Sequence, residues 1–156
     1  MTVLAIKAIS AAVGLTSLLL ATSTACAQNY LPDPERAPGI VDSSMTVDDL
    51  CPLRHPHPNL SHVKKRLMRE SGFNDPAQFQ LDHRVPLCAG GHRKDERNLW
   101  LQPRSGQWGA KFKDQLETSV CRQLCLRGIT LEAAQAIFLA PDWRVEYERF
   151  FSQGAE

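Results

Sequence analysis

A helix-dominated α+β domain is the fold class that this 156-residue sequence predicts. Three observations predict it. Apolar residues recur at helical spacing once after residue 60 and three times after residue 109. Between them, two short apolar stretches flank a Gly90-Gly91 turn and read as a pair of strands. Four cysteines, Cys51, Cys88, Cys121 and Cys125, offer staples to a chain whose core is modest.

The elements follow in order. Residues 28–60 carry LPDPERAPG and CPLRHPHPNL. Proline fixes φ and removes donors, so this part reads as an extended N-terminal arm. Ser61 is placed to cap a helix through Glu70, with Val63, Leu67 and Met68 apolar and Gly72 ending it. Gln78 to Leu87 reads as a strand, Cys88 to Glu96 as a loop, and Arg97 to Gln102 as a second strand. A helix from Ala110 to Leu126 sets Phe112, Leu116, Val120 and Leu124 on one face, and Gly128 ends it. Thr130 caps the next helix, LEAAQAIFLA, which Pro141 stops. Asp142 caps a last one carrying Trp143, Val145, Tyr147 and Phe150. Residues 61–156 thus form the body of one domain, and no internal repeat is present.

Residues 1–27 read as a secretory signal. Lys7 is their only charge, Ala11 to Ala21 is apolar, and Ala25-Cys26-Ala27 is a small-x-small cleavage site. A retained anchor is the alternative, but the apolar stretch is short and runs into Thr22, Ser23 and Thr24. Lipidation at Cys26 would call for a leucine where Ser23 stands. The expectation is an exported protein, periplasmic or secreted, with no membrane contact once the signal is removed. Without Lys7, the 18 basic residues become one fewer and match the 17 acidic ones. Bulk charge therefore gives nucleic-acid binding no help, and any such binding must come from local patches. The even count of four cysteines in an exported chain suggests disulfides. Three pairings exist, and the one expected is Cys51 with Cys121 and Cys88 with Cys125. A four-thiolate zinc site is the alternative, though no C-x-x-C pair supports it.

The chemistry concentrates in LDHRVPLCAGGHRKDERNLWLQP, Leu81 to Pro103. Hydrolysis of a phosphodiester needs a base for water and a cation for the developing charge. His83 is the candidate base, because imidazole titrates near neutrality. Asp82 is the candidate metal ligand, because a carboxylate suits Mg²⁺ or Mn²⁺. Neighbouring strand side chains point to opposite faces, so the strand must end or twist there for both to serve one site. Pro86 is consistent with such an exit. Asn98, past the glycine turn, can bridge the loop backbone and hold His83 in position.

The spaced set D-H-x-x-P-L-x-x-G-G-x6-N-L is far more specific than an Asp-His pair alone. It continues through Trp100, Gln102, Pro103, Trp108, Ala110, Lys113, Asp114, Leu116, Glu117, Ala134, Gln135, Asp142 and Trp143. On these residues the chain resembles the HNH nuclease superfamily, and within it the small exported bacterial HNH-like proteins, over roughly residues 39 to 148. The resemblance implies a ββα-metal finger inside the helical, disulfide-stapled domain. It also implies one divalent cation (Mg²⁺ first, Mn²⁺, Ni²⁺ or Zn²⁺ as alternatives) and nucleic acid as substrate, DNA ahead of RNA. Cys51 and either Cys121 or Cys125 fit the family's cysteine positions. Two residues depart from the pattern. Gly109 stands where an asparagine is expected, near the helix start that usually completes the metal site, and Leu101 replaces a proline. Asp114 is the carboxylate that could join Asp82 on the metal instead.

Arg84, Arg104, Lys111 and Lys113 are candidates to meet phosphates, with ordinary solvated charge as the alternative for each and a Lys113–Asp114 structural pair as a further one. Lys64, Lys65 and Arg66 form the densest basic cluster, read as a helix surface or a secondary backbone contact. Trp108 could stack a base, although core packing is the plainer reading. The function expected is metal-dependent endonuclease action with His83 as base. Two rivals stand beside it. One is a non-cleaving module of the same fold that grips nucleic acid or a partner. The other is an exported metal binder using His55, His57 and His62. The oligomeric state is not legible in the sequence.

Overall fold

A computed structural model describes residues 29–51 and 58–152. The signal-like residues 1–27, and His55 and His57 of the arm, lie outside the described residues. Among the described residues the fold is α+β: a two-stranded antiparallel sheet among five helices, closed by two disulfides. The helices are α1 Val47–Leu50, α2 Ser61–Glu70, α3 Ala110–Cys125, α4 Leu131–Leu139 and α5 Trp143–Ser152. The strands are β1 Phe79–His83 and β2 Leu99–Pro103, with Asp82 opposite Trp100 and His83 opposite Leu99.

Local chemistry explains most boundaries. At the end of α2, Gly72 takes a left-handed φ of +70° while Phe73 N–H reaches Met68 O at 3.0 Å, which satisfies carbonyls the helix leaves open. Ser61 begins α2 but does not cap it; the Asn59 side chain accepts from Ser61 N–H at 3.2 Å instead. Thr130 caps α4 through Ala133 N–H, and Asp142 caps α5 through Arg144 N–H at 2.9 Å. The arm is not wholly extended. Thr46 and Asp49 bond reciprocally in a capping box and start α1, a T-x-x-D signal that the surrounding prolines obscure in the sequence.

The core lies between α3, α4, α5 and the turn after β1. Val85, Ala89, Leu116, Val120, Leu124 and Ala134 have no exposed surface, with Phe138 and Trp143 nearly the same. Trp108 belongs to this packing and not to a base-stacking platform: its ring meets Phe112, Trp143 and Tyr147 at 5.4–5.8 Å between centroids.

The disulfides join Cys51 to Cys125 and Cys88 to Cys121, the reverse of the expected partners. Cys121 and Cys125 sit one turn apart on α3, so the choice depends on which segment reaches which turn. The arm carries α1 to the far end of α3, where Asp48 pairs with Arg127, and Cys51 meets the last-turn Cys125. The short 3₁₀ turn Leu87–Ala89 packs one turn earlier and presents Cys88 to Cys121. Two such bridges suit an oxidising compartment. Among the described residues, no helix is long and apolar enough to cross a membrane.

Candidate active site

β1 stops at His83, and the chain turns away through Val85 and Pro86 into the glycine turn. Asn98 holds this exit. Its side-chain oxygen accepts from Val85 N–H at 2.9 Å, and its amide donates to Val85 O at 3.0 Å and His92 O at 3.2 Å. The backbone completes the clasp, with Arg84 N–H reaching Asn98 O at 2.8 Å. The approach is so close that any Cβ on Gly91 would fall 1.8 Å from Val85 O and 2.8 Å from the Asn98 amide. Asn98 has no exposed surface, and its side chain is bonded to the loop backbone.

The His83 ring is nearly buried, and its Nε2 lies 3.0 Å from Arg93 O. A carbonyl only accepts, so Nε2 carries the hydrogen, and the lone pair of the neutral ring resides on Nδ1. His83 and Asp82 both line a cleft of about 490 Å³, together with Leu60, Lys64, Gln80, Asp114, Glu117 and Thr118. The strand end does what the sequence required of it: two adjacent residues serve one hollow. A larger hollow of about 730 Å³, lined by Leu31, Leu67, Phe73, Phe79 and Trp100, holds none of the candidate residues.

The opposite wall is α3, and its central group is Lys113. The ammonium is buried (the residue is 1 % exposed) and donates to Asp82 Oδ2 at 2.7 Å, to His83 O at 2.8 Å and to Glu117. Burial disfavours its charge, but Asp82 and Glu117 outweigh burial and hold it above the usual lysine range. Glu117 pays the opposite way: burial, reinforced by Asp82 and Asp114 and opposed by Lys113, pushes its carboxyl up to about 7. Asp114 is raised as well, by burial first and the Asp82 charge second, with Lys113, Gln80 and Arg104 pulling it back. Glu117 carries more of this site than the sequence reading assigned it. The Lys113-x-x-x-Glu117 spacing, which places both side chains on one helix face, was the available signal.

A divalent ion coordinated by Asp82 would have to share its carboxylate with the Lys113 ammonium, which bonds Oδ2. The Asp82 carboxylate is bonded to an internal cation, and no three His, Cys, Asp or Glu side chains among the described residues stand together as metal ligands. Gly109, the residue before α3, is also more than a missing ligand. A Cβ there would lie 2.7 Å from Arg104 O and 2.9 Å from the Ser105 Cα. Glycine at 109 is what lets the turn from β2 press against the start of α3.

Two of the four phosphate-binding candidates turn inward. Lys113 is spent on Asp82 and Glu117. Arg84 is buried, and its guanidinium donates to Ala37 O at 2.8 Å and to the α4 terminal carbonyls of Leu139 and Ala140 at 3.0 and 3.3 Å. It closes the end of α4 and ties it to the arm. Lys111 is exposed, with its ammonium over the Phe112 ring at 4.9 Å. Arg104 is exposed too, donates to Phe79 O at 3.2 Å and lies beside Gln80 at the cleft edge. His92 is a turn residue whose Nδ1 accepts from Lys94 and Asp95 N–H groups. His62 is exposed on α2.

A scan of the chain against protein-family models finds no significant match, and searches of curated proteins and of solved structures find none either.

Proposed function

We propose that this chain is an exported nuclease of the ββα type that hydrolyses phosphodiester bonds of nucleic acid, DNA ahead of RNA. The observation that carries the reading is His83: a histidine at a strand end, lining a cleft, with its Nε2–H held by the Arg93 carbonyl. That bond leaves Nδ1 as the basic nitrogen. In the step proposed, Nδ1 takes a proton from water as the water oxygen forms a bond to phosphorus. The bridging P–O bond breaks, and the leaving oxygen takes a proton from solvent. The β1–turn–β2–α3 order, the Asp82-His83 pair and the Asn98 clasp match what the HNH resemblance implies. The divalent ion of that resemblance enters no step here, since Lys113 holds Asp82. Export rests on the signal-like residues 1–27 and is supported by the two disulfides.

The hold of Lys113 on Asp82 also favours a second reading, a module of this fold that binds nucleic acid or a partner without cutting. A plasmid-nicking assay on the oxidised protein separates the two. It is run with Mg²⁺, Mn²⁺, Ni²⁺, Zn²⁺ or chelator, with His83→Ala in parallel. General-base loss predicts a fall in nicking of about 10²–10⁴-fold in the variant. Equal nicking by His83→Ala sinks the assignment of the base. Binding without nicking, by a folded protein under every metal, moves the assignment to the second reading.

A further inference from the structure

Two cations meet at the edge of the cleft from elements far apart in sequence. Lys64, on α2, donates its ammonium to Phe79 O and to Pro76 O, each at 2.7 Å. Arg104, just past β2, donates Nε–H to the same Phe79 carbonyl at 3.2 Å. Like charges brought within hydrogen-bond reach of one oxygen repel each other. The Lys64 ammonium is indeed held below its usual range, by burial first and by Arg104 second. Among the described residues neither forms an ion pair, whereas Arg66 on the same helix is paired with Glu70 and Glu96. Asp114 is the acidic group whose charge Arg104 feels, yet no bond joins them. An ammonium has three N–H donors and a guanidinium five, so carbonyl contacts leave both groups with donors to spare. Lys64 lines the same hollow as Asp82 and His83.

We propose that Lys64 and Arg104 form a composite anion site for one phosphate of a nucleic-acid backbone, at the Phe79 end of the strand that His83 closes. This deepens the nuclease reading and supplies what bulk charge does not. The net charge is near zero, so attraction for a polyanion has to come from a local uncompensated pair. Contacts to phosphate carry no sequence information, so such a site grips the backbone and fixes its register.

The test is fluorescence anisotropy of a labelled double-stranded DNA oligonucleotide across a salt series. The proteins compared are the wild type, Lys64→Gln/Arg104→Gln, Arg104→Glu and, as a charge-loss control on α5, Arg149→Gln. The double variant is expected to bind on the order of tenfold more weakly and to flatten the salt slope by about one phosphate's worth. Arg104→Glu is exposed and leaves the Lys64 contacts in place, so it carries the test if the double variant unfolds. Arg149→Gln is expected to bind as the wild type does. A methylphosphonate oligonucleotide is expected to lose the difference between variants, and inorganic phosphate alone to compete weakly. The proposal is overturned if the wild type binds no DNA, if Arg104→Glu binds as tightly as Arg149→Gln, or if the variants differ equally on the uncharged backbone. Nicking without dependence on the pair would sink this site and leave the nuclease reading. Pair-dependent binding without nicking would do the reverse.

Discussion

The two walls of the cleft are built by opposite means. The hairpin wall holds His83 with neutral hydrogen bonds between side-chain amide and backbone, centred on Asn98. The α3 wall is held by charge, one buried ammonium shared by two carboxylates and a carbonyl. Neutral bonds to backbone fix geometry and respond little to pH. A buried charge cluster has high stakes: complete, it is satisfied; with one member removed, it leaves unpaired charge in a poor dielectric. The two walls meet at Lys113, which bonds the Asp82 carboxylate and the His83 carbonyl of the hairpin from its place on α3.

Four substitutions test that contrast, beginning with the largest effect. Lys113→Ala removes the cation and strands Asp82 and Glu117 together; a loss of about 3–5 kcal/mol in urea unfolding is expected. A loss below about 1 kcal/mol would mean that the α3 wall is not held by charge. Asn98→Ala opens the hairpin clasp and leaves buried Val85 groups unbonded, at a cost of about 2–4 kcal/mol that stays constant with pH. A cost that varied with pH would mean that the clasp is coupled to the Lys113 cluster. Gly109→Asn, the change that would supply the absent side chain, is expected to destabilise by about 1–3 kcal/mol through overlap with Arg104 and Ser105. It should gain no Mn²⁺ affinity by calorimetry; a new site there would show that Lys113 yields Asp82 to a metal.

The smallest effect is the pH response of Glu117. Its folded pKa, about 7, lies above the ordinary 4.5, so the folded state binds the extra proton. The stability this lends is complete below about 4.5 and is lost as pH rises through 7. Wild-type melting temperature should fall across that window, and Glu117→Gln should flatten the fall. An unchanged slope in the variant would assign the titration to another group.

Much of this was legible in the chain. Helical period and stop signals placed α2, α3, α4 and α5 close to their observed bounds, because those signals are local. The Asp-His pair at a strand end and the Asn98 bridge followed from spacing around Gly90-Gly91. What failed was anything that depends on where a long side chain ends. Arg84 and Lys113 sit in sequence beside the cleft residues, and both were expected to reach outward, yet both turn inward. A flexible stem of several bonds lets the same residue serve solvent or core, and neighbouring sequence does not say which. The disulfide partners failed for a related reason: two cysteines one turn apart differ by a few ångströms, which only the packing of α1 and the Leu87–Ala89 turn resolves.

By itself the sequence determined the α+β class, the order of the elements and the residues that meet at the strand end. Each of those rests on periodicity or on interactions within a few residues. Only the tertiary structure decided that Lys113 occupies Asp82, that Gly109 is required by backbone contact, and that Lys64 joins Arg104 across forty positions of chain. Those contacts are long-range, and their energies depend on burial, which no local pattern of residues encodes.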